Sequence, residues 1–193
     1  YEKALADLNA ALRINPSFEQ AYYNRARVCA QLQLYEQAIS DFSKVIVLDA
    51  EDVAAYYNRG TMYAQLNRYS EAISDFTEVL RLDHNHLSTY QNRAVAYSGL
   101  GRYEAAVDDY TQVITLASDN TNAYLQRGII RGMMEQYDEA LDDLRHAFQL
   151  DQRNAVTAYN FGLLYERLQQ LTTAIEYYGM AISLDASNAK TYE

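Results

Sequence analysis

The chain has 193 residues, 49% hydrophobic and 22% charged, with one proline, seven glycines and a net charge of −10. That composition fits neither a disordered nor a collagen-like chain, a lone Cys29 rules out an internal disulfide, and no apolar run of about 18 residues exists to span a membrane. Only Lys3, Lys44 and Lys190 are lysines among sixteen basic residues, so the basic stripe that phosphate binding needs is missing and nucleic acid is not an expected partner.

The first stretch, "YEKALADLNAALRINP", is amphipathic and of mixed charge, unlike a secretory signal peptide. It lacks a starting methionine and begins in mid-pattern, so the expectation is a piece of something longer. The single cysteine is compatible with a reducing compartment, and an intracellular, cytoplasmic location is expected.

From Ala21 onward the sequence repeats itself. "AYYNRARVCAQLQLYEQAISDFSKVIVLD" from Ala21 aligns with "AYYNRGTMYAQLNRYSEAISDFTEVLRLD" from Ala55 at a shift of 34, and the same shift leads to Thr89, Ala123 and Thr157. Five full periods follow, at 19–52, 53–86, 87–120, 121–154 and 155–188. Residues 1–18 fit the second half of a period, and 189–193 open a further one. The whole chain is thus expected to form one array. Each period carries two stretches of helical periodicity, at positions 1 to about 14 and 18 to about 31, joined by a short turn.

Position 20 is always alanine (Ala38, Ala72, Ala106, Ala140, Ala174), and position 8 is always small (Ala26, Gly60, Ala94, Gly128, Gly162). Helices approach closely only where neither projects a bulky side chain, so these facing positions specify a tight antiparallel pair. Phe42, Phe76, Tyr110, Leu144 and Tyr178 then fill the space beside the contact.

The period of 34, the aromatic at position 4 (Tyr22, Tyr56, Tyr90, Tyr124), the small residue at position 8, the aromatic at position 17 and the alanine at position 20 resemble the tetratricopeptide repeat family over the entire chain. Departures are Ala158 at position 4, Cys29 and Arg131 for the tyrosine of position 11, and Leu171 at position 17. The resemblance implies an all-α fold, a right-handed superhelical solenoid of antiparallel helix pairs whose first helices line the concave side.

At 100° per residue, Asn and Arg of the recurring "YNR" divide between two faces: position 6 lies at the edge of the open face, and position 7 in the buried arc. A buried guanidinium needs a partner. Arg25, Arg59, Arg93 and Arg127 accompany Asp41, Asp75, Asp109 and Asp143 at position 23, whereas the fifth period has Phe161 with Tyr177. Both members change together, which predicts an ion pair within each of the first four periods and an aromatic contact in the fifth. The competing geometry pairs each arginine with the aspartate of the preceding period, Asp7 serving Arg25.

Asn24, Asn58, Asn92, Gln126 and Asn160 form a ladder of amides, one per period. A carboxamide offers donor and acceptor side by side and can hold one peptide group of an extended chain without reading its side chain, each bond contributing about 0.5–1.5 kcal/mol net. A similar asparagine ladder occurs in the superhelical repeats of O-linked N-acetylglucosamine transferase, and that resemblance implies binding of extended protein segments. The other reading is that these are solvated helix residues. Around the ladder the groove is expected to present Tyr23, Arg27, Tyr57 and Gln91, with an exposed apolar stretch of Leu125, Ile129, Met133, Tyr159 and Leu163. Such a stretch marks an interaction surface or a seat for a flanking segment. Positions 2 and 5 hold no lysine, so the clamp for acidic chaperone tails found in some of these repeats is not expected.

His84, His86 and His146 lack metal-site spacing, Cys29 reads as a small buried hydrophobe, and neither a phosphate loop nor a Ser-His-Asp set can be assembled. No enzyme activity, cofactor or metal is expected. The expected function is a scaffold binding a protein or extended peptide. The alternatives are a spacer that self-associates end to end and the targeting domain of a larger enzyme.

Overall fold

A computed structural model describes residues 1–189, and the positions from Lys190 to Glu193, assigned above to a further period, lie outside the described residues. The described residues form eleven α-helices and no strand. They divide into two units at Arg102, between the two helices of the third full period. The first unit holds α1 (Glu2–Ile14), α2 (Glu19–Gln31), α3 (Tyr35–Leu48), α4 (Val53–Gln65), α5 (Tyr69–Leu82) and α6 (Leu87–Gly99). The second holds α7 (Tyr103–Leu116), α8 (Thr121–Met133), α9 (Tyr137–Leu150), α10 (Ala155–Arg167) and α11 (Leu171–Ala189). Within each unit every helix packs on its chain neighbours. No helix among the described residues is long and apolar enough to cross a membrane.

The turn inside each hairpin is set by backbone bonding. Gln33, Asn67, Gly101, Glu135 and Gln169, all at position 15, have φ between 56° and 70°. Each reverses the chain in the left-handed region so that the next N–H reaches back to the last turn: Leu34 to Cys29 O at 2.9 Å, Arg68 to Tyr63 O at 2.9 Å, Gln170 to Tyr165 O at 2.8 Å. This is the Schellman closure, which satisfies carbonyls that the helix end would leave open. The turn between hairpins uses side chains instead. Asp52, Asn120 and Asn154 cap α4, α8 and α10 by accepting from the backbone N–H of Ala55, Ala123 and Thr157.

The core of a hairpin is a contact between small residues flanked by one large one. Ala38, Ala72, Ala106 and Ala140 are fully buried, as are Phe42, Phe76 and Leu144. Gly60 shows why its position stays small: a Cβ there would lie 2.8 Å from the Phe76 ring and 3.1 Å from Asp75 Cβ. At Gly162 the same addition would come within 2.5 Å of Tyr178.

Candidate functional site

Three of the arginines at position 7 bind the aspartate 16 residues later in their own hairpin. Arg25 Nε and Nη2 reach Asp41 at 2.7 and 2.6 Å, Arg59 reaches Asp75 at 2.8 and 2.7 Å, and Arg127 reaches Asp143 at 2.9 and 2.6 Å. Two parallel N–H···O bonds to one carboxylate form the strong fork geometry of arginine. Burial is unequal, however. The arginine side chains keep 25%, 19% and 13% exposure, whereas the aspartates keep 6%, 5% and 3%. The deeply buried charge is therefore the carboxylate, with the guanidinium as its cover, and not the reverse.

The remaining guanidinium nitrogen makes a bond that helix angles alone do not reveal. Nη1 of Arg25, Arg59, Arg93 and Arg127 donates to Asn9, Ser43, Thr77 and Thr111 at 2.6, 2.9, 3.0 and 2.9 Å. Each acceptor lies 16 residues before its arginine, on the preceding second helix, so at Arg25, Arg59 and Arg127 one side chain closes its own hairpin and ties it to that helix. Asp109 is likewise buried, in α7. Where the motif changes, Phe161 stacks on Tyr177 with ring centroids 4.7 Å apart, and Tyr165 extends the stack at 5.4 Å from Tyr177. Asp143 also accepts from Arg131 at 2.8 Å, so one buried carboxylate faces two guanidinium groups.

The ladder amides are not equivalent. Asn58 Nδ2 donates both to Tyr23 Oη of the preceding first helix, at 3.2 Å, and to Ala54 O, at 2.7 Å, which uses both of its N–H groups. Asn92 Nδ2 likewise reaches Tyr57 Oη at 3.1 Å. Asn24 accepts from Gln20 at 3.4 Å, and Gln126 is half-buried on α8. Asn160 differs because position 5 of the preceding period is Leu125, which has no hydroxyl to offer. Its amide donates only to Val156 O, at 2.8 Å, leaving one N–H and the carbonyl oxygen for a ligand.

Leu125 itself corrects the expected apolar stretch: at 5% exposure it is buried, within a cluster containing Leu141, Leu144 and Phe161. Position 5 leans over the large residue of its own hairpin, as Tyr23 does on Phe42 with centroids 5.6 Å apart and Tyr57 on Phe76 at 6.2 Å. A leucine, shorter than these tyrosines, sinks into that contact. Gln91 is half-buried, and Arg27 stands exposed beside Asn24 in a wide cleft of about 630 Å³ between α1 and α2.

The apolar surface that remains is Ile129, half-buried, with Met133, Tyr159 and Leu163 at 58%, 50% and 37% exposure. Between α8 and α10 it encloses a cleft of about 330 Å³. Ile129, Met133, Leu163 and Leu164 form its walls, Gly128 and Gly132 open its floor, and Asn160, Glu135 and Arg167 supply the polar groups. A mostly apolar concavity with a few directed polar groups is the general form of a ligand pocket.

His86 and His146 serve structure. The His86 ring lies 5.0 Å from Tyr57 with Nδ1 2.7 Å from Thr89 Oγ1, and His146 stacks on Tyr124 at 5.1 Å. Among the described residues no group of His, Cys, Asp and Glu could hold a metal ion.

Models of the tetratricopeptide repeat match residues 1–52, 53–86, 88–120 and 155–188. No curated protein matched at the sequence level. Among solved structures, the chain is similar to MamA 41-end from Desulfovibrio magneticus RS-1, with TM-score 0.83 and 22% identity, covering 88% of this chain and 96% of that one. It is also similar to YrrB, described as a TPR protein with an unusual peptide-binding site, with TM-score 0.79 and 24% identity, covering 95% of this chain and 97% of that one. These likenesses carry the fold, a helical solenoid, and together with the repeat matches along the sequence they show that the chain belongs to the tetratricopeptide repeat family of protein-interaction scaffolds.

Proposed function

We propose that the chain binds an extended peptide or partner segment, anchored in the cleft between α8 and α10. The observation that carries this reading is the coincidence of a mostly apolar cleft with Asn160, whose amide retains one N–H and the carbonyl oxygen and is bonded only within its own helix. An apolar side chain of the ligand enters between Ile129, Met133 and Leu163, and Asn160 holds the adjoining peptide group in both directions. In the first unit Asn58 has both N–H groups bonded and Asn92 is tied through one of its own to Tyr57 Oη, while Asn24 faces a wider cleft with Asp7 and Arg27 on its walls. They are therefore secondary rungs.

Panning random unstructured 12-residue peptides on the chain tests this. Selected peptides are expected to carry an apolar residue and to lose at least about tenfold in affinity on Asn160→Ala and on Met133→Glu, while Asn58→Ala costs less; tenfold corresponds to about 1.4 kcal/mol. Peptides that bind with affinity indifferent to both substitutions would sink the proposal.

A second reading, end-to-end self-association, is favoured by α11. Leu171, Ile175 and Ile182 there are 60%, 69% and 71% exposed, and Ile182 borders a cleft of about 370 Å³ with Val156 and Tyr159. On this reading, sedimentation of the chain shows concentration-dependent association that Ile175→Glu with Ile182→Glu abolishes. A monomer at every concentration speaks against it.

A further inference from the structure

Each arginine at position 7 lies against the tyrosine of position 4, and two of the four, Arg59 and Arg93, have a second ring on the other side. Arg59 lies 5.6 Å from the Tyr56 centroid and 6.0 Å from that of Tyr63, and Arg93 lies 5.8 Å from Tyr90 and 5.7 Å from Tyr97. The second ring of each pair comes from position 11. Arg25 has its first ring, Tyr22 at 5.6 Å, but position 11 of its hairpin is Cys29. In the fourth period that place is taken by Arg131, bonded to Asp143; in the fifth it is taken by Tyr165, stacked on Phe161.

Beside Cys29 no ring fills the place, and Gln37 covers the thiol at the edge of a cleft. A cleft of about 310 Å³ is lined there by Leu5 and Asn9 of α1, Arg25 and Cys29 of α2, and Gln37 and Asp41 of α3. A cavity of about 150 Å³ already admits benzene in another protein, so this one has room for a substituted ring. Its walls suit one. Leu5 supplies apolar contact, and Arg25 presents a guanidinium already held by Asp41 and Asn9. A fixed cation attracts a ring face without having to be ordered on binding. Gln37 and Asn9 at the rim can bond a phenolic hydroxyl. The Cys29 thiol takes no chemical part: it is buried, burial raises its pKa, and it lies 3.7 Å from Gln37 Oε1.

We propose that this cleft is a binding slot for a phenol-class ring, which occupies the place that Tyr63 and Tyr97 fill from within the chain in the following periods. The slot contains none of the ladder residues and is independent of the groove reading. Its ligand chemistry has two sources, the side chain of a tyrosine in a partner segment or a free phenol.

The test is an NMR titration of the whole chain with 4-methylphenol, followed at the Arg25 Nε and Cys29 amide resonances. Saturable shifts with Kd on the order of 1 mM are expected, a realistic affinity for so small a ligand. Binding of 4-methylcyclohexanol, which has the shape without the π face, is expected to be at least several-fold weaker. Cys29→Tyr supplies the missing ring from within and is expected to remove binding while leaving the melting temperature at or above that of the parent. Absence of saturable shifts up to about 10 mM, ten times the expected Kd, overturns the proposal. Equal binding of the cyclohexanol, or undiminished binding to a folded Cys29→Tyr chain, does so as well. Should that variant fail to fold, the two titrations of the parent chain decide alone. N-acetyl-Ala-Ala-Tyr-Ala-Ala-amide binding more tightly than 4-methylphenol assigns the slot to a partner's tyrosine, and weaker binding assigns it to a free phenol.

Discussion

Replacing Arg59 by alanine is expected to cost about 3–5 kcal/mol of stability at neutral pH, the range for removing one partner of a buried ion pair, and less in acid. The loss comes from what is left behind. Asp75 is 4% exposed, and both of its oxygens are bonded to the Arg59 fork at 2.7 and 2.8 Å. Without the guanidinium, a carboxylate stays buried with no cationic partner, and the bond from Nη1 to Ser43 of the preceding helix is lost too. The partners register the pair differently in the parent chain. The bond to Asp75 raises the Arg59 pKa, whereas burial raises that of Asp75 against the pull of Arg59. Asp75 decides the pH behaviour, because arginine stays charged throughout the working range. With its folded pKa above the unfolded value of 3.8, Asp75 binds more protons in the folded state between those two values. Its contribution to stability therefore falls as pH rises through that interval and is constant above it. Removing Arg59 widens the interval, so the deficit of the variant relative to the parent is smallest near pH 4 and largest at neutral pH. Urea unfolding of both chains at the two pH values measures this. A deficit below about 0.5 kcal/mol, as at an ordinary surface site, or one that grows in acid, contradicts the account.

Phe76→Ala is expected to cost about 3–5 kcal/mol, at the high end for core truncation. The ring is fully buried in a cluster with Ala72, Ile73 and Ala96, and Gly60 passes within 2.8 Å of it, measured from where a Cβ would stand. Ala72, Ala96 and Gly60 have nothing to swing into the vacancy, and only Tyr57, which already leans on the ring, can close part of it, so much of the cavity stays open. The same geometry gives a sign for coupling. A methyl group at Gly60 collides with the Phe76 ring in the parent and keeps only its 3.1 Å approach to Asp75 Cβ once the ring is gone, so Gly60→Ala with Phe76→Ala should be more stable than the sum of the two single losses. Thermal or urea unfolding of the four chains closes the cycle; strict additivity contradicts the proposed fit.

The helical hairpins were legible because packing writes a period. Only a residue with little or no side chain fits where Gly60 meets Phe76, and that demand recurs every 34 residues. The bond from Arg59 to Asp75 was legible for a related reason, since arginine and aspartate give way together to Phe161 and Tyr177, which stack. The third arm of the arginines was missed, although it leaves a trace: Asn9, Ser43, Thr77 and Thr111 all carry an acceptor oxygen, and the series ends at Arg145, just where Phe161 replaces the arginine. Three residue types satisfy that one bond, so the position looks variable unless it is read against the arginine 16 residues on.

Helix angles failed where two helices act at once. They placed Leu125 on the open face, but position 5 is covered by the large residue of the second helix. They could not show that Tyr23 and Tyr57 engage Asn58 and Asn92, because those bonds cross between neighbouring hairpins. The cleft beside Cys29 was illegible for the opposite reason. A small residue replacing a tyrosine reads as a tolerated substitution until the missing volume is seen.

The anchoring of a partner segment between α8 and α10, proposed above, is read from the chemical-shift footprint of the strongest panned peptide on the isotope-labelled chain. The largest shifts are expected on Ile129, Met133, Asn160 and Leu163, with smaller changes at Asn58 and Asn92. A footprint centred elsewhere, with those four residues unmoved at saturation, would contradict it.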